Sequence, residues 1–168
     1  MDFAAFRDVY PLREPKADCI RNKGELVLIP RSEGLLRFPE DVTTDVVISS
    51  VPRSYPDRGQ LYLWVVAAND VPFALESAPF GQGLETGKIK HTNLTGGEKA
   101  HCGGELWFLS DKQLLLSAAS GRYGPKNERE MNDVALAFKN EGFEVASLGF
   151  DEETGYPCTV LVGEPKWM

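Results

Sequence analysis

The sequence predicts an α+β fold, a mostly antiparallel sheet of hairpins with one main helix at about residues 127–141 packed on one face. Two observations carry that reading. Short runs rich in Val, Leu, Tyr and Phe recur between clusters of Gly, Pro, Asn and Asp, at the spacing of hairpins. One segment alone combines the apolar repeat of a helix with a marked start and a marked stop. No internal repeat, low-complexity tract or long linker divides the 168 residues, so a single domain is expected over 1–168.

In chain order, residues 3–9 are expected as a short amphipathic turn that Pro11 and Pro15 halt, within an irregular N-terminal arm spanning 1–22. Strands are expected at 25–29, 35–38, 46–51, 60–66 and 71–75. A turn at Ala68-Asn69-Asp70 joins the last two as a hairpin, and Pro72 belongs at an edge or a bulge because it has no N–H to give a ladder. A second hairpin pairs 105–109 with 113–117 around Ser110-Asp111-Lys112. A third pairs 143–150 with 158–162. Between them lies the helix, where Met131, Val134, Ala135 and Phe138 fall at i, i+3, i+4 and i+7. Asn127 is its expected N-cap with Glu130 completing a capping box, and Gly142 its stop, with Phe143 folding back on the last turn.

Composition excludes several classes of function. With 18 Lys+Arg against 25 Asp+Glu, the chain has a formal charge of −7, so neither nucleic acid nor an anionic membrane is an expected partner. The longest apolar run, 61–68, is of strand length and too short to span a bilayer. The first residues lack a basic region followed by an apolar core, so a cytoplasmic location is expected. Cys19, Cys102 and Cys158 fit no zinc spacing and are expected as buried free thiols. With His91 and His101 as the two histidines, no metal site is expected.

One segment departs from this acidic background. Nine of the sixteen glycines lie between 81 and 124, and residues 86–126 hold six basic side chains against three acidic ones. Within it, His91 opens a loop through Thr92, Asn93 and Thr95 to Gly96-Gly97, a pair suited to φ > 0 and close approach. Two readings of this loop stand: a tight turn satisfied by its own polar side chains, or the mouth of a pocket with His91 as a hydrogen-bonding or proton-transfer group. The second loop, Ser120-Gly121-Arg122-Tyr123-Gly124-Pro125-Lys126, runs into the start of the helix, where free N–H groups and two cations make an anion site. The competing reading has Asn127 take those N–H groups and Arg122 pair with a carboxylate. Tyr123 is either a stacking surface or a lid on the core. Gly103-Gly104 reads as a bulge, and Glu105 as either a solvated carboxylate or an acid facing the same cleft as His91.

The order His91-Thr92-Asn93-Leu94-Thr95-Gly96-Gly97, Gly104-Glu105, Ser120-Gly121-Arg122-Tyr123-Gly124-Pro125 and then a helix resembles a module of plant IQ-motif calmodulin-binding proteins and of some bacterial toxin-type carboxy-terminal domains. In the module the pattern runs His-Ser-Ser-x-Leu-x-Gly-Gly, Ala-Gly, Ser-Gly-His-Tyr-x-Pro and a helix. The match covers about residues 88–142, with Arg122 standing where the module usually has histidine. The resemblance implies a shared fold segment and a shared pocket. No calmodulin-binding stretch is present, so that activity does not carry over.

Three functional classes follow. The first is a small binding protein without a cofactor, recognising a polar or anionic ligand or a protein partner through Thr92, Asn93, Thr95, Gly96 and Gly97 on one loop and Ser120, Gly121, Arg122 and Lys126 on the other. The second is an enzyme acting on NAD or a nucleotide in the manner of an ADP-ribosyltransferase, with His91, Tyr123 and Glu105 as its catalytic set. The third is an acidic immunity or antitoxin-type inhibitor of a basic enzyme.

Overall fold

In the computed structural model, which describes all 168 residues, strands β1 (Leu36–Arg37), β2 (Tyr62–Val66), β3 (Pro72–Leu75), β4 (Cys102–Phe108), β5 (Gln113–Ser117) and β6 (Glu144–Ser147) form one sheet. Their order is β1-β3-β2-β4-β5-β6. Every neighbouring pair is antiparallel except β5 with β6. That exception follows from the connection. Helix α2 (Glu128–Asn140) leads from the end of β5 back across one face, so the next strand starts at the same end as β5 and runs beside it.

The sheet separates two cores. On one side Met131, Val134, Ala135 and Phe138 of α2 meet Trp64, Leu106 and Leu116 from the strands. Helix α1 (Phe3–Val9) completes this layer; Phe3 and Phe6 are buried, and the Phe3 ring meets that of Phe138 edge-on at 5.0 Å between centroids. Its first turn is capped by Asp2, which accepts from the Ala5 N–H at 2.8 Å. The expected amphipathic turn is therefore a helix docked on the core. The rest of the arm is irregular and held by a bridge between Arg13 and Ala100. On the other side of the sheet, Leu63, Val65, Trp107 and Leu115 are covered by loops, with Ile29, Ile89, Leu94 and Tyr123 packed against them. The polar segment of the sequence lies on this loop-covered face.

Several local expectations are corrected. Residues 25–29 are not a strand: a 3-10 turn spans Lys23–Leu26, capped by Asn22. The Asn93 side chain takes the Gly24 and Val27 carbonyls, so a side chain replaces the ladder that a strand would need. In 46–51 pairing is limited to a parallel bridge between Ile48 and Phe108. The third hairpin contracts to β7 (Phe150–Asp151) with β8 (Tyr156–Pro157), because residues 144–147 are committed to β5, where Val145 and Ala146 are fully buried. Gly103 and Gly104 form no bulge. They pair in regular register with Val65 and Trp64.

Candidate functional site

Glycine at 104 is required by packing. A Cβ there would lie 2.2 Å from the Ser117 carbonyl oxygen and 2.7 Å from the Trp64 indole. That close approach lets the Trp64 Nε1–H donate to the Glu105 carbonyl at 2.9 Å and leaves the Gly104 carbonyl to His91, whose Nε2 lies 2.8 Å away. A carbonyl has no proton to give, so the imidazole carries its hydrogen on Nε2 and Nδ1 is an unprotonated acceptor. Burial lowers the affinity of this ring for a second proton. The Gly104 bond opposes that effect, while Arg122 and Lys90 reinforce it, and the pKa is pushed down to about 4. His91 is neutral at pH 7.

The loop that His91 opens is held from within. Asn93 Oδ1 accepts from the Lys90 N–H at 2.8 Å, and Thr95 Oγ1 accepts from the Gly97 N–H at 3.1 Å. Gly96 and Gly97 have φ of 65° and 83°, the left-handed conformation their pairing anticipates. Thr92 is fully buried, its hydroxyl donating to Glu25 Oε1 at 3.2 Å. Thr92, Asn93, Thr95, Gly96 and Gly97 thus build the turn, while His91 reaches a cleft.

Glu25 is the hub that sequence reading misses. It is 1% exposed, and Arg122 Nε donates to it at 2.7 Å while Arg122 Nη2 donates to the Cys19 carbonyl at 2.7 Å. Burial pushes the Glu25 carboxyl up. The hydrogen bonds and charge of Arg122, with the Arg21 N–H and the Thr92 hydroxyl, more than offset it and hold the group below its ordinary range. No local signal marks a partner 97 positions away along the chain.

The second loop is closed in the same way. Ser120 Oγ accepts from the Tyr123 N–H at 3.1 Å, and the Tyr123 hydroxyl donates to the Glu98 carbonyl at 2.7 Å. At 2% exposure Tyr123 is a lid on the core. Of the two readings of the start of α2, the structure shows the one in which the chain's own groups occupy its donors. Asn127 Oδ1 takes the Glu130 N–H at 2.9 Å, Glu152 takes that of Glu128 at 2.9 Å, and Glu130 reaches back to Lys126 N–H at 3.0 Å instead of to its N-cap. Any anion here would be held by side chains. Lys16 and Lys126 make no ion pair, and Arg122 Nη1 makes no hydrogen bond.

Glu105 is buried beside Arg58, to which Oε2 is hydrogen-bonded. The Arg58 guanidinium lies over the rings of Tyr55 and Trp107, at 5.5 and 5.4 Å from their centroids. Sequence reading misses this arginine as well, since it lies between the expected strands 46–51 and 60–66 and its partner is 47 positions away.

Two open clefts flank the segment Ser120-Gly121-Arg122. The larger, about 570 Å³, carries Arg13, Lys16, Arg122 and Lys126 against Glu14, with Tyr123 on its wall. The smaller, about 270 Å³, has His91, Glu105, Arg58 and Lys90 among its lining, together with Ser120 and Arg122. His91 and Glu105 therefore share a cleft, and Tyr123 faces the other. No three His, Cys, Asp or Glu side chains are grouped as a metal would need; all three cysteines are free thiols, but of the three expected to be buried only Cys102 is, Cys19 and Cys158 being partly exposed. No helix is long and apolar enough to cross a membrane. Comparison with protein-family models, with curated proteins and with solved structures gave no match.

Proposed function

We propose that this chain is a binding protein for a small anionic ligand, seated against the loop 120–126 and reaching toward the loop 91–97. The observation that carries the reading is the larger cleft: Lys16 and Lys126, which make no ion pair, stand there beside Arg13 and Arg122, whose charges Glu130 and Glu25 balance, in a protein whose formal charge is −7. Arg122 is held rigid by Glu25 and the Cys19 carbonyl, which leaves its Nη1 as a fixed donor, and Lys16 and Lys126 supply uncompensated charge. Rigid donors lose little freedom when a ligand binds. Thermal unfolding in the presence of inorganic phosphate and of pyrophosphate tests the reading. A ligand at about a hundred times its Kd adds roughly 2.7 kcal/mol, which is about 5–10 °C in Tm for a chain of this size. A Lys16→Ala/Lys126→Ala double variant should lose most of that shift. Absence of any shift in the wild-type protein would remove the proposal.

A further inference from the structure

The smaller cleft contains two buried acceptors that the fold leaves unused. His91 is 6% exposed and Glu105 is 7% exposed. His91 Nε2 is spent on the Gly104 carbonyl and Glu105 Oε2 on Arg58, yet Nδ1 of the one and Oε1 of the other accept no hydrogen bond and keep contact with solvent. Both residues line the same cleft. Each residue thus keeps one acceptor that no group of the protein satisfies, beside a cleft from which a ligand could supply the donor. Such a ligand must donate. A fully deprotonated phosphate oxygen or carboxylate would meet two lone pairs and be repelled, whereas a hydroxyl supplies the missing hydrogen.

The same cleft also has a donor side. Arg122 and Ser120 belong to both clefts, so a group seated against His91 and Glu105 remains within the reach of the arginine that borders the cationic one. Lys90 adds a further positive charge and makes no ion pair. At about 270 Å³ the space suits a monosaccharide-sized group.

We propose that His91 Nδ1 and Glu105 Oε1 form a hydroxyl-reading pair, and that the ligand is a hydroxylated anion of the sugar-phosphate class, its hydroxyls on these two acceptors and its anionic end toward Arg122. The assignment rests on the proposed anion-binding function and narrows it. Specificity comes from a tautomer: Gly104 fixes the proton on Nε2, so His91 offers an acceptor at the cleft and never a donor while it is neutral.

Calorimetric titration of the wild-type protein with inorganic phosphate, glucose 6-phosphate, ribose 5-phosphate and glycerol 3-phosphate provides the test, with unphosphorylated glucose as a control. At least one of the three hydroxylated phosphates should bind tenfold or more tightly than inorganic phosphate, and glucose alone should bind weakly. Glu105→Gln, which keeps the shape of the side chain, should bring that ratio close to one. A nitrogen NMR spectrum of the wild-type imidazole gives a readout that needs no variant. The unprotonated Nδ1 resonance should move upfield on addition of the tightest hydroxylated phosphate and stay in place with inorganic phosphate. If phosphate binds but no hydroxylated phosphate binds better, or if the Nδ1 resonance does not move, the hydroxyl-reading pair is overturned and the anion site survives. If none of the phosphates binds, both proposals fall.

Discussion

Replacing His91 with Gln should remove much of the acid sensitivity of this fold between about pH 6.5 and pH 4. The folded protein holds the imidazole neutral, with its pKa pushed down to about 4 from an ordinary value of 6.5, while the unfolded chain protonates at that ordinary value. As pH falls through this window the unfolded state takes up a proton that the folded state refuses. The contribution of His91 is therefore complete above pH 6.5, declines as pH falls, and is exhausted below about pH 4. A displacement of about two and a half units corresponds to roughly 3 kcal/mol, of which about 2 kcal/mol is gone by pH 5. For a chain of this length the full amount is on the order of 6–12 °C in Tm. Urea denaturation of wild type and His91→Gln across this range isolates the effect, because the other titrating groups cancel in the difference. Glu25 acts in the same direction, since its folded value is depressed, but its contribution is lost below the ordinary carboxylate range and so at lower pH. The variant should be the less stable protein at pH 7 and should close the gap as pH falls. Parallel profiles for the two proteins would show that the ring is not held neutral, and the acceptor assigned to Nδ1 would lose its basis.

Two further predictions concern the supports of the site. Glu25→Gln removes the counter-charge of an arginine whose side chain is 12% exposed, and should cost about 3 kcal/mol or more in chemical denaturation at pH 7; a loss below about 1 kcal/mol would mean that Arg122 finds water or another carboxylate. Gly104→Ala forces a methyl against the Ser117 carbonyl and the Trp64 ring, neither of which is the free end of a flexible chain, and should lower stability by about 3 kcal/mol or prevent folding. Gly83→Ala, where nothing lies within 4 Å, is the matched control and should leave Tm within a degree or two.

What the chain announces by itself is whatever a local pattern encodes. Helix α2 is legible because its apolar spacing, its Asn127 cap and its Gly142 stop all lie within sixteen residues of one another and act on neighbouring backbone groups. Strands β2, β3 and β5 are legible for a similar reason, as apolar runs bounded by turn residues. The left-handed pair Gly96-Gly97 was marked by composition alone. Tertiary structure decided the rest wherever the deciding partner is distant. Residues 25–29 have the composition of a strand, yet the Val27 carbonyl, with that of the preceding Gly24, goes to the Asn93 side chain, a bond no local pattern encodes. The direction of β6 was settled by α2 crossing the sheet, which turns an expected antiparallel hairpin into a parallel neighbour of β5. At the candidate site the sequence named His91, Glu105 and Arg122, because unusual residues in a glycine-rich basic stretch stand out. It left unnamed Glu25, 97 positions from Arg122, and Arg58, 47 positions from Glu105, and these two determine which donors and acceptors are consumed and which remain for a ligand. An ion pair between distant residues has no periodicity. It exists only once the sheet and its loops have brought both ends into one low-dielectric space, where an unpaired charge would be too costly to keep.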